Sequence, residues 1–208
     1  MLSLSYGPIF TLVLVLACSL WSPHASAQNP QMGQAQYSIG TLLILRPDGV
    51  EERLRGQGAL SLFELDVLKT DQSTRSLIAL GDGIRVALNE STTVHVHSRW
   101  EKAHGTTKIL RLKKGEVWVS SAAGGKPLEV ETATGVAIVQ NAEMDFKISE
   151  TGQTVLTVVQ GTVPLATPYG SCVVNASASS SAARGRGCSV PVSVNAQQAV
   201  GWSRDLPR

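Results

Sequence analysis

From Tyr37 to about Leu165 apolar residues recur at every second position in short runs, and each run stops at Gly, Asn, Asp or Ser. Ile84, Val86 and Leu88 alternate with Arg85 and Ala87, and Val94 and Val96 alternate with His95 and His97. A period of two sends successive side chains to opposite sides of an extended chain, so each run predicts a strand with one buried and one wet face. The same pattern holds for Leu110 and Leu112, Val117 and Val119, Leu128 and Val130, and Met144, Phe146 and Ile148. Turn signals separate the runs: Pro47-Asp48-Gly49, Gly81-Asp82-Gly83, Asn89-Glu90-Ser91, His104-Gly105, Gly124-Gly125-Lys126-Pro127 and Thr151-Gly152. Only Leu60 to Thr70 also fits helical spacing, through Leu60, Phe63 and Val67. Short strands with turns between them predict an all-β domain, a solenoid-like wrap or a twisted β-sandwich, with little or no helix beyond an N-terminal export segment.

The N-terminus reads differently. Residues 1–28 contain no Lys, Arg, Asp or Glu, and the apolar run from Ile9 to Leu20 is too short to span a bilayer comfortably. Pro23 breaks it, and Ala25-Ser26-Ala27 supplies the small residues that a signal peptidase requires, which predicts cleavage after Ala27. Two readings compete with this one: Val15-Leu16-Ala17-Cys18 is a lipobox-like run that would anchor the chain by acylation of Cys18, and the segment could be retained as a membrane helix. The expected organisation is a signal peptide at 1–27, a linker at 28–36, a β-domain at 37–166, and a Ser/Ala-rich tail at 167–208 that holds a disulfide loop and a final strand. The expected location is periplasmic or secreted, with no integral membrane segment in the mature chain.

Cysteine usage agrees with export. Outside the leader only Cys172 and Cys188 remain, an even pair for an oxidising compartment, and the segment between them is so rich in Ser, Ala and Gly that it has no apolar periodicity. A disulfide is expected, with a pair of free thiols as the alternative. Eighteen basic against sixteen acidic residues in 208, a net charge of +2, give no field of one sign, which argues against a nucleic-acid partner.

Candidate chemistry is sparse. The chain has no G-x-S-x-G elbow, H-E-x-x-H helix, phosphate-binding Gly-rich loop or paired-Cys motif, so no catalytic residue, cofactor or metal is assigned and the chain is read as non-enzymatic. His95 and His97 share a strand face and could hold a metal with His104, or simply be solvated. Trp100 and Trp118 could join the two histidines in a shallow surface patch for a sugar or a protein, or pack against neighbouring strands. Asp82 reads as a turn residue and Asp145 as a solvent-face residue. Lys113-Lys114-Gly115 has one Gly followed at once by another strand, so it reads as a turn and not as an anion cradle.

The order of these runs resembles the FecR domain family. Asp66 and Thr70, the Asp82-Gly83 turn, Gly115 with Val117 and Val119, Glu129 with Thr132, and Gly161 with Val163 stand where that family has its marks. The resemblance covers roughly residues 37 to 166. Asn195-Ala196-Gln197-Gln198 is similar to the closing Gly-Gln strand, a weaker return near 195 to 202. One departure is Asn141-Ala142-Glu143-Met144, where the family usually has Gly-Thr-x-Phe; Asn141 can adopt the left-handed backbone that Gly allows. The resemblance implies a stand-alone exported FecR-like domain without the cytoplasmic sigma-regulator segment and the receptor-contacting C-terminal domain. The expected function is a protein-binding or scaffolding module of the bacterial envelope, with another envelope protein as partner. The alternatives are a signalling component that works with a separate membrane regulator, or a weak carbohydrate or metal binder.

Overall fold

A computed structural model describes residues 29–102 and 105–207. The leader with Cys18 and Ala27, and also His104, lie outside the described residues.

Sixteen strands follow one another: β1 (Gln31–Leu45), β2 (Glu51–Phe63), β3 (Val67–Lys69), β4 (Arg75–Ala79), β5 (Ile84–Leu88), β6 (Thr93–Glu101), β7 (Gly105–Lys114), β8 (Glu116–Ser121), β9 (Leu128–Glu131), β10 (Val136–Val139), β11 (Glu143–Ile148), β12 (Thr154–Gln160), β13 (Thr162–Thr167), β14 (Gly170–Asn175), β15 (Ala178–Ala182) and β16 (Val192–Ser193). A short helix α1 (Ala196–Ala199) and a 3-10 turn (Gly201–Asp205) follow them among the described residues. The expected all-β fold is what is found. Leu60 to Thr70 is the end of β2, a turn and β3, with no helix.

The strands form a single open sheet in the order β14-β13-β10-β9-β7-β6-β3-β1-β4-β5-β8-β11-β12-β15-β16, with β2 on β1. Every pairing between these strands is antiparallel except β7 with β9. Strand β1 serves both arms of this order. Its first half, Gln34 to Ile39, pairs with β4, and its second half, Leu43 to Leu45, pairs with β3. Between the halves the β1–β2 register shifts, and Gly40 (φ +78°) and Gly56 (φ +70°) both take the left-handed backbone. The ribbon bends there, so the arms lie over each other as two layers. Arg46 at one end of the bent ribbon donates to Ser61 O at 2.8 Å near the other end, and its guanidinium lies 5.0 Å over the Phe63 ring.

One core fills the space between the layers. Val94, Leu110, Leu112 and Val130 reach it from the β6–β7–β9 side, and Val86, Val119, Phe146 and Leu156 from the β5–β8–β11–β12 side, all fully buried. Burying such a side chain contributes roughly 1.5–3 kcal/mol, so the alternating pattern is the main specification of register.

Two boundaries differ from those expected. Gln31 to Gln36 belong to β1 rather than to a linker, because their backbone pairs with β2 and Met32 and Ala35 are buried. The Ser/Ala-rich tail is not a loose appendage: β14 extends one arm and β15 the other, with Val174, Ser180 and Ala182 buried. The Cys172–Cys188 disulfide, with Cα atoms 6.2 Å apart, ties β14 of one layer to the chain just after β15 of the other, so it closes the open side of the folded sheet. The final strand expected at Asn195-Ala196-Gln197-Gln198 is instead the start of α1, and β16 lies just before it.

Glycine turns lock neighbouring strands. Gly83 (φ +71°), Gly115 (φ +90°) and Gly161 (φ +81°), like Asp82 (φ +52°) and Asn141 (φ +52°), are left-handed. A Cβ on Gly115 would stand 2.6 Å from Thr92 Cα. That close approach lets Thr92 Oγ1 accept from the Glu116 N–H at 3.1 Å, as Thr74 Oγ1 accepts from the Thr41 N–H at 3.0 Å beside Gly40. At the matching Gly161 the facing residue is Ala142, which has no hydroxyl to offer. Lys113-Lys114-Gly115 is thus a strand junction, with both lysines exposed.

The two kinds of glycine separate in a stability measurement. Gly49→Ala, at φ +87° with open space around it, should cost roughly 1–2 kcal/mol from backbone strain alone. Gly115→Ala adds a clash with Thr92 backbone and should cost at least about 3 kcal/mol in denaturant unfolding. Equal losses in the two variants would contradict this account of the junction.

Candidate functional site

Cross-strand register decides which side chains share a surface. On the outer face of the first layer His95 lies between Val67 and Arg111, and Arg111 faces Glu131. His95 and His97 stack with ring centroids 6.2 Å apart, and Arg111 pairs with Glu131 at 3.0 Å. Partial burial, then Lys113 and neighbouring His97, Arg111 and Lys69, hold the His95 pKa below its ordinary 6.5. Burial and then Arg111 do the same for His97, against Glu131 and Glu64. His97 Nε2 is buried without a partner. Two neutral imidazoles in a basic surround are a poor cation trap, and among the described residues no three His, Cys, Asp or Glu side chains are grouped to hold a metal.

The expected patch of His95, His97, Trp100 and Trp118 does not form. Trp100 is three residues from His97, so by the period of two it falls in phase with Val94 and Val96, on the opposite side of β6. It projects 72% exposed near the tip of the β6–β7 hairpin, past the end of the core. Trp118 belongs to the other layer. Its row runs Tyr37, Leu77, Ala87, Trp118 and Asp145 in direct register across β1, β4, β5, β8 and β11. The C-terminal segment covers this row: Val200 and Leu206 pack on Leu77, Ala87 and Trp118, with Tyr37 and Trp202 beside them. Trp118 is only 7% exposed, and its Nε1 donates to Glu143 Oε1 at 2.8 Å.

Asp145 is a correction of the same kind. It does point to the outer face, as its phase required, but the cover makes it wholly buried. Trp202 Nε1 donates to Oδ1 at 3.4 Å, while Oδ2 has no partner. Burial first, and nearby Glu116 second, push the carboxyl well above the usual carboxylate range. Arg75 fastens the cover by donating to Trp202 O at 2.8 Å and to Asp205 at 3.0 Å. A covering segment whose Trp202 lies 57 residues downstream of Asp145 leaves no trace in the period-two pattern.

The second polar concentration lies where the ends of the bent ribbon meet. Asp66, also wholly buried, accepts from the Phe63 N–H at 2.7 Å and from Arg46, which also pairs with Glu52 at 2.6 Å. Asp66 is the first residue of the family pattern, and it fixes the turn into β3. Its pKa is raised because burial outweighs the Phe63 N–H and Arg46. The third feature is an edge: among the described residues β2, thirteen residues long, pairs with β1 on one side only, and Glu51, Arg53, Arg55, Gln57 and Ala59 are exposed along it.

This architecture, an all-β sheet folded over one core with left-handed junction residues at Asp82, Gly83, Gly115, Asn141 and Gly161, defines the class. Residues 66–164 match the family described as FecR protein. The fold is similar to two crystal structures of a candidate anti-sigma factor from Parabacteroides distasonis. Their TM-scores are 0.56 and 0.54 at 16% and 18% identity, and in each case the match covers 65% of this chain. The match spans 63% of each of those chains. No curated protein sequence matches this chain. Among the described residues no helix is long and apolar enough to cross a membrane.

The histidine pair sets a pH dependence. A His whose folded pKa lies below its unfolded value contributes stability above the unfolded pKa, and that stability is lost as pH falls through the folded value. The pair's contribution should therefore decline on acidification below about pH 6.5, while the raised carboxyl pKa values of Asp66 and Asp145 favour the folded state as pH falls. The double variant His95→Gln, His97→Gln should flatten that decline in urea titrations run across this range; an unchanged slope would assign it to other groups.

Proposed function

We propose that the chain is a non-enzymatic regulatory module of the bacterial envelope that works by binding another protein. The FecR match at residues 66–164 supports an envelope-signalling context. The observation that carries the binding reading is the unpaired edge of β2. A strand with a free row of backbone donors and acceptors can be extended by a partner strand, with alternate side chains giving selectivity. Glu51, Arg53 and Arg55 discourage indiscriminate pairing on that edge while leaving it open to a partner of matching charge pattern. Scaffolding and signalling both need such an edge. The description of the P. distasonis structures as a candidate anti-sigma factor favours signalling, in which the domain passes a cue to a separate membrane regulator. The glycan reading loses its main support, since the two tryptophans and the histidines lie on different surfaces.

A photo-crosslinking residue at Arg55 on β2 should trap a discrete envelope protein in living cells, whereas the same residue at Glu150, in the exposed β11–β12 turn, should not. Equal labelling from both positions, or none from Arg55, would count against the edge.

The location belongs to the same proposal: the segment up to Ala27 directs export and is removed, leaving a periplasmic or secreted protein, with lipid anchoring through Cys18 as the second reading. Intact-mass and N-terminal peptide analysis of the protein from its native host should give a chain beginning at Gln28. An acylated Cys18 would replace soluble export by anchoring, and an uncleaved leader would sink both.

A further inference from the structure

The C-terminal segment that covers Trp118 and Asp145 is attached to the sheet differently from any strand. Its backbone bonds stay local: the Ala196 N–H donates to Val194 O, Gln198 to Asn195 O, Ser203 to Val200 O and Leu206 to Ser203 O. Among the described residues no backbone–backbone bond runs from residues 196–206 to the layer beneath. Side chains hold it instead. Arg75 donates to Trp202 O at 2.8 Å and to Asp205 at 3.0 Å, and Trp202 Nε1 donates to Asp145 Oδ1 at 3.4 Å. Val200, Trp202 and Leu206 add apolar contact with the row. The cover can therefore lift as a unit while every strand pairing stays intact.

Asp145 makes that lifting depend on a proton. Under the cover its side chain has no exposed surface and Oδ2 has no partner, yet it stands on the outer face of β11, where an open cover returns it to water. Burying an ionised carboxylate with a bare oxygen is costly, and burying the protonated acid costs far less. The surrounding charges do not reverse this. From β8, Glu116 opposes ionisation of Asp145 more strongly than Lys147 on β11 assists it, and these two pair with each other at 3.8 Å. Glu143 on β11 accepts from Trp118 Nε1, and β12 places uncharged Thr157 opposite Asp145. In the cover itself Arg204 donates to Gln197 O, and Asp205 is taken by Arg75.

We propose that the C-terminal segment is a proton-operated latch, closed over the outer face while Asp145 is protonated and released when Asp145 is ionised. Open, it uncovers the row of Tyr37, Leu77, Ala87 and Trp118 and leaves the core between the layers in place. Closing takes up a proton, so it is fully favoured below the ordinary carboxylate value of 3.8 and weakens as pH rises toward the raised value of the covered acid. The latch is independent of the β2 edge contact, and the failure of either leaves the other untouched.

Hydrogen exchange of the full chain tests this at the Ser203 and Leu206 amides, each rate being divided by that of an unstructured peptide at the same pH. Their protection should fall about tenfold from about pH 5 to about pH 7, in keeping with the release of one proton on opening. The Val119 and Phe146 amides should stay better protected throughout, which marks the opening as local. Asp145→Asn, which cannot ionise, should keep the cover closed with protection that no longer varies with pH. Trp202→Phe removes the bond to the carboxyl but not the burial, so it should lower protection at every pH and retain the decline. Should Asp145→Asn fail to fold, the courses of the wild type and of Trp202→Phe decide. Protection that is flat or rises with pH in the wild type, a decline that persists in Asp145→Asn or is lost in Trp202→Phe, or cover amides that exchange no faster than those of the core would overturn the latch.

Discussion

The bend of the first ribbon is the constraint on which the other strands depend. A hairpin of fifteen- and thirteen-residue strands held straight would carry β3 and β4 away from each other, and no common core could form between the arms that follow them. Opposed left-handed backbone at Gly40 and Gly56 turns the ribbon instead, and a Cβ at Gly40 would stand 2.9 Å from Ser73 O, so the bend also lets the next turn come close. Arg46 then joins the two ends through Asp66, Glu52 and Ser61 O. The pair is not free of cost, since Asp66 is wholly buried and keeps one oxygen unpaired. Its value lies in fixing where the ends meet, while Leu42, Ile44, Leu54 and Leu62 supply the apolar burial that offsets it.

From that bend the register spreads outward by repeated use of one device. Thr74 beside Gly40 and Thr92 beside Gly115 each place a hydroxyl on the N–H that follows a left-handed glycine. Strand edges that would otherwise slip are pinned at these points, and alternation does the rest, because a slip of one residue would expose Val86, Val119 and Phe146 together. The third junction, Ala142 facing Gly161, keeps the close approach and the left-handed Asn141 but not the hydroxyl. The disulfide works at the opposite side of the sheet, where β14 and β15 would otherwise be free to part.

What was legible in the sequence was local. Period two in IRVAL and VHVH gave strands and their inward faces, and turn residues such as Asp82-Gly83 and Gly115 marked the junctions, because these signals act between residues close in the chain. The family resemblance was legible for the same reason, as an ordered series of such junctions. Misplaced features are those that depend on distant segments. Trp118 and Asp145 point outward in phase with expectation, yet Val200, Trp202 and Leu206 return to cover them. Ser180 and Ala182 lie in a stretch without apolar alternation, and their burial follows from the seam between the layers rather than from any pattern of their own. The cluster around Arg46 was missed because it joins residues twenty apart whose strands had no visible reason to meet.

The two outer faces of the sheet are therefore unlike, and this bears on how the domain can be used. One carries His95, His97, Arg111, Glu131 and the Arg99–Glu129 pair, a solvated surface of mixed charge in which neighbouring ions are already satisfied. The other is apolar at its centre and closed by the protein's own C-terminal segment, fastened at Arg75. A mixed-charge face with its ions paired offers a partner little net gain, and a covered face offers none until the cover is displaced. Backbone groups along β2 meet neither obstacle. They remain available without rearrangement of the core, so the part of the chain that organises the fold also carries the edge proposed for recognition.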